Sequence, residues 1–163
     1  MTARSEIIVT INQPIEKVAK AYSTREYWEF IAEKLSPEPG ELNEFADNTA
    51  TLFEILPKSI LPEAAQAMVS QDLKLKRVVT VGELDGDTAK HTMTGDVKGT
   101  PVDLGAEYTA TRDGDNTKLD YELEAKVNIP FMGAALEPKV ADALEEIVEN
   151  EAKLTEQWIS CLL

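Results

Sequence analysis

His91, Arg77 and Glu151 stand where an ionisable side chain has no ordinary place, and each could do chemistry. His91 is the only imidazole of the chain. In strand register Ala89, His91, Met93, Gly95 and Val97 point one way, while Lys90, Thr92, Thr94 and Asp96 point the other. That sets His91 on the apolar side, either as a core or rim histidine with one backbone partner, or as a polar anchor or general acid–base facing a ligand. Arg77 shares a register with Leu73, Leu75, Val79 and Val81. A guanidinium buried there would demand a carboxylate from the protein or from a ligand. Val78 interrupts the opposite face, so a β-bulge is expected to turn Arg77 outward. Glu151 falls in a helical stripe with Leu144, Ile147, Leu154 and Trp158. A carboxylate is almost never fully buried unpaired, so the stripe is expected to rotate there and bring Val148 and Ala152 inward. Should Glu151 face inward instead, His91, Arg77, Tyr108 and Tyr121 are the available partners.

Composition removes many other chemistries. The chain has 163 residues and a formal net charge of −14, from 16 Lys and Arg against 30 Asp and Glu. Such a balance opposes binding to a phosphate backbone, so no nucleic-acid partner is expected. With one His and one Cys no Cys/His zinc site can be built. Phosphate-loop, dinucleotide and nucleophile-elbow motifs are all absent from the sequence. No metal or cofactor is therefore expected. Asp85-Gly86-Asp87 and Asp113-Gly114-Asp115-Asn116 lack the ligand spacing of a calcium loop and read as hairpin turns. No apolar run reaches the length of a membrane span. The first residues, Met1-Thr2-Ala3-Arg4-Ser5-Glu6, carry no secretory-type apolar stretch, and Cys161 stands alone, so the expected setting is cytoplasmic.

The elements that must position these side chains follow from periodicity. Glu6 to Asn12 reads as a β-branched strand. Pro14 suits a first helical position, and Ile15, Val18, Ala19 and Tyr22 fall on one helix face behind it. A second short helix carries Tyr27, Trp28, Phe30, Ile31 and Leu35 and stops at Ser36-Pro37-Glu38-Pro39-Gly40. Strands are then expected over Glu41–Ala46, Thr49–Leu56, Asp72–Glu83 and Thr88–Val97, with a brief helical stretch at Glu63–Ser70. In the next strand Val102, Leu104, Ala106, Tyr108 and Ala110 alternate with polar residues. Leu119, Tyr121, Leu123, Ala125 and Val127 do the same in the last, as in an antiparallel sheet with one wet face. A helix from about Ala134 to Leu162, about 40 Å long, closes the chain, with Asp142, Glu145, Glu146, Glu149 and Glu156 as its solvated face. Only this helix is long enough to cover the apolar side of the sheet.

This order of elements resembles the helix-grip fold of the START-related superfamily, which includes polyketide cyclases and lipid-transfer proteins. Val127-Asn128-Ile129-Pro130-Phe131-Met132-Gly133, with Leu136, Glu137, Val140, Asp142, Glu151, Thr155 and Trp158, is similar to an actinobacterial START-like family whose function is unknown. Pro101 also falls where that family places a proline between its fifth and sixth strands. The resemblance implies one α+β domain: a seven-stranded curved antiparallel sheet wrapped around the long C-terminal helix, with two short helices after the first strand. It also implies a small apolar or amphipathic ligand held between sheet and helix. His91, Met93, Leu104, Tyr108, Tyr121 and Leu123 would form one wall, with Phe53, Trp28, Leu154 and Trp158 the opposite side or mouth. An enzyme of the cyclase or hydrolyase kind, with His91 as acid–base and a tyrosine as oxyanion donor, is the alternative. An acidic module docking on a basic protein is a third.

Overall fold

The computed structural model describes residues 2–35, 39–56, 73–98, 102–128 and 133–162. Strand β1 (Thr2–Ile11) leads into helices α1 (Ile15–Tyr22) and α2 (Arg25–Lys34). Strands β2 (Glu41–Ala46), β3 (Thr49–Leu56), β4 (Leu73–Thr80), β5 (Thr88–Val97), β6 (Val102–Asp113) and β7 (Asn116–Val127) follow, and helix α3 (Gly133–Leu162) ends the chain. The seven strands form one curved antiparallel sheet in the order β1-β7-β6-β5-β4-β3-β2. Helix α3 lies mainly on β1 and β7, and α1 and α2 pack between it and the rest of the inner face. This is the expected helix-grip arrangement. The expected helix at Glu63–Ser70, and Pro101 and Ile129 to Met132, lie outside the described residues.

Alternation decides which side chains go in. Strands β5, β6 and β7 bury every second residue, and their directly paired positions build continuous inner rows. One row runs His91, Tyr108, Tyr121 and Ile7; the next runs Met93, Ala106, Leu123 and Ser5. A third runs Leu52, Arg77, Gly95, Leu104 and Ala125. Tight turns hold the hairpins: Gly114 between β6 and β7 and Gly86 before β5 both have positive φ, which glycine adopts without steric penalty.

Some expectations are corrected. Pro14 is the extended residue ahead of α1 rather than its first helical one, and its carbonyl accepts from the N–H groups of Lys17 and Val18. The strand expected from Asp72 to Glu83 ends at Thr80. Its tail leaves the ladder because Gly82 crosses close to β5, where a Cβ would stand 1.9 Å from the Lys90 carbonyl oxygen. The N–H of Gly82 turns instead to the His91 ring. The bulge expected beside Val78 is absent: β4 pairs regularly with both neighbours, and the register shift lies in β2 between Leu42 and Glu44. Arg77 therefore stays inward, against expectation.

Gly82→Ala is expected to lower stability by about 1–3 kcal/mol, because the neighbouring backbone cannot yield as a side chain could. Gly105→Ala, with open space where its Cβ would stand, is expected to be neutral or slightly stabilising. Urea unfolding of both variants checks this, and equal losses would contradict the close β4–β5 approach.

Candidate functional site

Arg77 is the centre of the inner face. It is 2 % exposed, and the two carboxylates beside it, Glu54 and Glu151, are 1 % and 3 % exposed. Glu54 comes from β3, where it sits diagonally across from Arg77, opposite Leu75. Its Oε1 accepts from Arg77 Nε at 2.7 Å. Glu151 comes from the middle of α3, and its Oε2 accepts from Arg77 Nη1. The rotation of the helix stripe expected from sequence, which would have spared the carboxylate, does not occur. Val148 and Ala152 are buried as expected, but Glu151 is buried between them. The inward residues Leu144, Val148, Glu151, Thr155 and Trp158 keep spacings of three and four. The partner that permits this is Arg77.

Each carboxylate takes one N–H, and a guanidinium has five. Nη2 of Arg77 is fully buried and has no hydrogen-bond partner among the described residues. Ser5 Oγ, on β1, is the other such atom. Burial raises the Glu54 pKa, and Arg77 offsets only part of that rise. Burial alone would lower the Arg77 pKa, but the Glu151 and Glu54 charges more than compensate and hold the guanidinium ionised.

A second network ties α2 to α3. Thr155 Oγ1 donates to the Glu151 backbone oxygen at 2.7 Å, so its single proton is used. The Tyr27 hydroxyl, 2.7 Å from Thr155 Oγ1, is then the donor to it. Tyr22, Tyr27, Trp28 and Trp158 pack as one aromatic group, with Tyr27 at 4.8 Å from Trp28 and 5.5 Å from Trp158 between ring centres. The Tyr22 ring also meets His91 edge-on at 5.1 Å. His91 continues to Tyr108 at 5.0 Å, and Tyr108 stacks on Tyr121 at 4.5 Å, so one aromatic row crosses β5, β6 and β7. Burial raises the pKa of Tyr22, Tyr108 and Tyr121, so all three are neutral donors.

His91 lies on the apolar side as expected. Its Nδ1 accepts from Gly82 N–H at 3.0 Å, which places the ring proton on Nε2. Burial lowers its pKa to about 4. A ring in that tautomer donates from Nε2 and has no free lone pair for a general base. His91 makes one backbone hydrogen bond and keeps its Nε2–H as a donor.

Met93, Leu104, Tyr108, Tyr121 and Leu123 all lie buried on the inner face with His91. Trp28 is fully buried, its Nε1–H donating to the Tyr22 carbonyl at 2.9 Å. Leu154 is half-buried at the side of α3, while Trp158 faces inward. Phe53 is a correction. Leu52 and Glu54 take the inward positions of β3, and Phe53 lies on the outer face, where the ammonium groups of Lys74 and Lys98 stand 4.6 and 5.6 Å from its ring centre. Glu156 is also less solvated than expected, since its Oε1 accepts from the Asn12 N–H at 2.6 Å. Sequence reasoning missed Glu54 altogether. The signal for it was a carboxylate sharing inward register with Ala50 and Leu52.

On the outer face, β1, β7, β6 and β5 form open grooves lined by Glu6, Glu122, Glu107 and Lys90. Glu6, Glu122 and Glu107 lie directly opposite one another, a like-charge row tolerated because it is in water. No helix among the described residues is long and apolar enough to cross a membrane. No cluster suited to a metal ion occurs among them either.

Residues 6–159 match the family model described as "Protein of unknown function (DUF2505)". An uncharacterised protein of Mycobacterium tuberculosis is 21% identical over 160 residues, covering 90% of each chain. Among solved structures, a START superfamily protein from Mycobacterium smegmatis is similar with a TM-score of 0.57 at 13% identity, over 98% of this chain and 99% of that one. The Zhui aromatase/cyclase of a Streptomyces species is similar with a TM-score of 0.55 at 12% identity, over 98% and 92% of the two chains. At these identities the likeness is one of fold.

The His91 pKa yields a pH test. A ring that titrates near 6.5 when unfolded and near 4 when folded supplies stability above pH 6.5 that is lost as pH falls toward 4. That interval, at about 1.4 kcal/mol per pH unit, is worth about 3 kcal/mol. His91→Gln should not show this loss, so the stability of the wild type relative to the variant should fall by about that amount between pH 7.5 and 4. Urea unfolding at a series of pH values measures the difference, and a constant difference would mean that His91 is not buried neutral.

Proposed function

The chain belongs to the DUF2505 family, and we propose that it is a cytoplasmic binding protein that holds a small apolar or amphipathic molecule between the inner face of the sheet and α3. The observation that carries this reading is Arg77 Nη2, a cationic donor removed from water and without an acceptor among the described residues. A buried polar group in that state forfeits roughly 1–3 kcal/mol, and more when charged, which a bound acceptor would restore. Around it the wall is apolar and aromatic, with neutral phenols and an imidazole N–H as further donors. Mostly apolar lining with a few convergent polar groups is the usual make-up of a small-molecule site. The START superfamily likeness supports the same location, by analogy of fold.

The aromatase/cyclase among the similar structures raises the enzyme alternative, with His91 as its acid–base. Its occupied Nδ1 and low pKa weigh against that role, and carriage is the better-supported reading.

Native mass spectrometry of gently purified protein, with a tryptophan-quenching screen of lipids and flat aromatic ketones, tests the proposal. A one-to-one small-molecule adduct, or saturable quenching by one of these compounds, is expected. Trp158, which contacts Tyr27 beside the cluster, would report the binding. Only the bare protein mass together with no saturable quenching would overturn the reading.

A further inference from the structure

We infer that the molecule taken at Arg77 presents a neutral oxygen acceptor, a carbonyl or an ether or hydroxyl oxygen, and that the site rejects carboxylates and other anions. This rests on the binding reading above and narrows its ligand class.

An arginine inside a binding site is ordinarily the mark of an anionic ligand, because a guanidinium matches a carboxylate in both charge and shape. Here that pairing is already made within the protein. Glu54 takes Nε–H and Glu151 takes Nη1–H, each through one oxygen, and all three side chains are buried. One positive charge stands against two carboxylates, so the cluster presents no net positive charge to a newcomer. What remains at Nη2 is a hydrogen-bond donor without an unspent charge. A ligand carboxylate reaching it would become the third carboxyl group around one guanidinium, in a setting where water cannot screen the repulsion. A neutral oxygen accepts the same hydrogen bond without that repulsion. The rest of the wall agrees: Tyr22, Tyr108, Tyr121 and the Nε2–H of His91 add donors, and Arg112, in inner register at the far end of β6, is already paired with Glu16 and Asp87. The cationic residues of β5 and β7, Lys90, Lys118 and Lys126, lie on the outer face.

The test uses three compounds of nearly equal size: 2-acetylnaphthalene, 2-naphthoate and 2-ethylnaphthalene, titrated into the full chain by calorimetry at neutral pH. The ketone should bind at least about tenfold more tightly than the hydrocarbon, as expected for a hydrogen bond from a charged donor, and the naphthoate should bind more weakly than the ketone by at least the same factor. Glu54→Gln, which keeps the side-chain shape and removes one negative charge, should shrink the ketone-to-naphthoate affinity ratio at least about tenfold. Circular dichroism establishes that this variant folds, and the wild-type series stands on its own should it not. Naphthoate binding as tightly as the ketone to the wild type would overturn the inference and leave the binding reading standing. An unchanged ratio in folded Glu54→Gln would also overturn it. If none of the three binds in the millimolar range, this inference fails, and the binding reading is decided separately by the mass and quenching experiments.

Discussion

A guanidinium taken out of water must be met by charge, and the way Arg77 is met sets much of the rest of this structure. Its partners come from β3 and from the middle of α3, so the cluster ties two neighbouring strands to the helix across the sheet. Because Glu151 must face inward, the phase of α3 is fixed, and Val148, Ala152, Thr155 and Ile159 follow it into the interior. Thr155 then stands where the Tyr27 hydroxyl reaches it, which fastens α2 to the same helix. Such a cluster is a poor source of stability. Desolvating such a cluster roughly cancels its internal attraction, and apolar residues of similar volume often hold a core as well or better. Its presence is easier to understand as specification: of helix phase, and of a donor that has no hydrogen-bond partner among the described residues.

The aromatic row gives that donor its surroundings. His91, Tyr108 and Tyr121 occupy directly paired positions on three adjacent strands, so their rings follow one another along the inner face. Burial keeps each of them neutral over the physiological range. A wall of that kind offers hydrogen bonds and ring faces but no proton acceptor of useful strength, which suits holding a molecule better than transforming it.

The sheet was largely legible from sequence because alternation is a local signal. In β6 and β7 apolar and polar residues exchange at every step, and Asp113-Gly114-Asp115-Asn116 marks the turn between them. The order of elements then left few ways to cover one face. The cluster was illegible for the complementary reason. Arg77 is 23 residues from Glu54 and 74 from Glu151, so each charge looked like a fault in its own element. Local remedies, a bulge for Arg77 and a rotated stripe for Glu151, removed each anomaly separately. Only pairing the anomalies with one another explains them. Phe53 misled in the same way, since a large aromatic beside a carboxylate invites the assignment of Phe inward and Glu outward. The register of Ala50 and Leu52 dictates the reverse.

The central claim is that the Glu54–Arg77–Glu151 cluster serves recognition and not stability, and urea unfolding tests it most directly. The comparison is between Arg77→Met alone and the variant carrying Glu54→Leu, Arg77→Met and Glu151→Leu together. Arg77→Met strands two buried carboxylates and should lose about 3–5 kcal/mol, whereas the triple variant should return to wild-type stability or exceed it. A triple variant as unstable as Arg77→Met would contradict the account, because the cluster would then be holding the fold together.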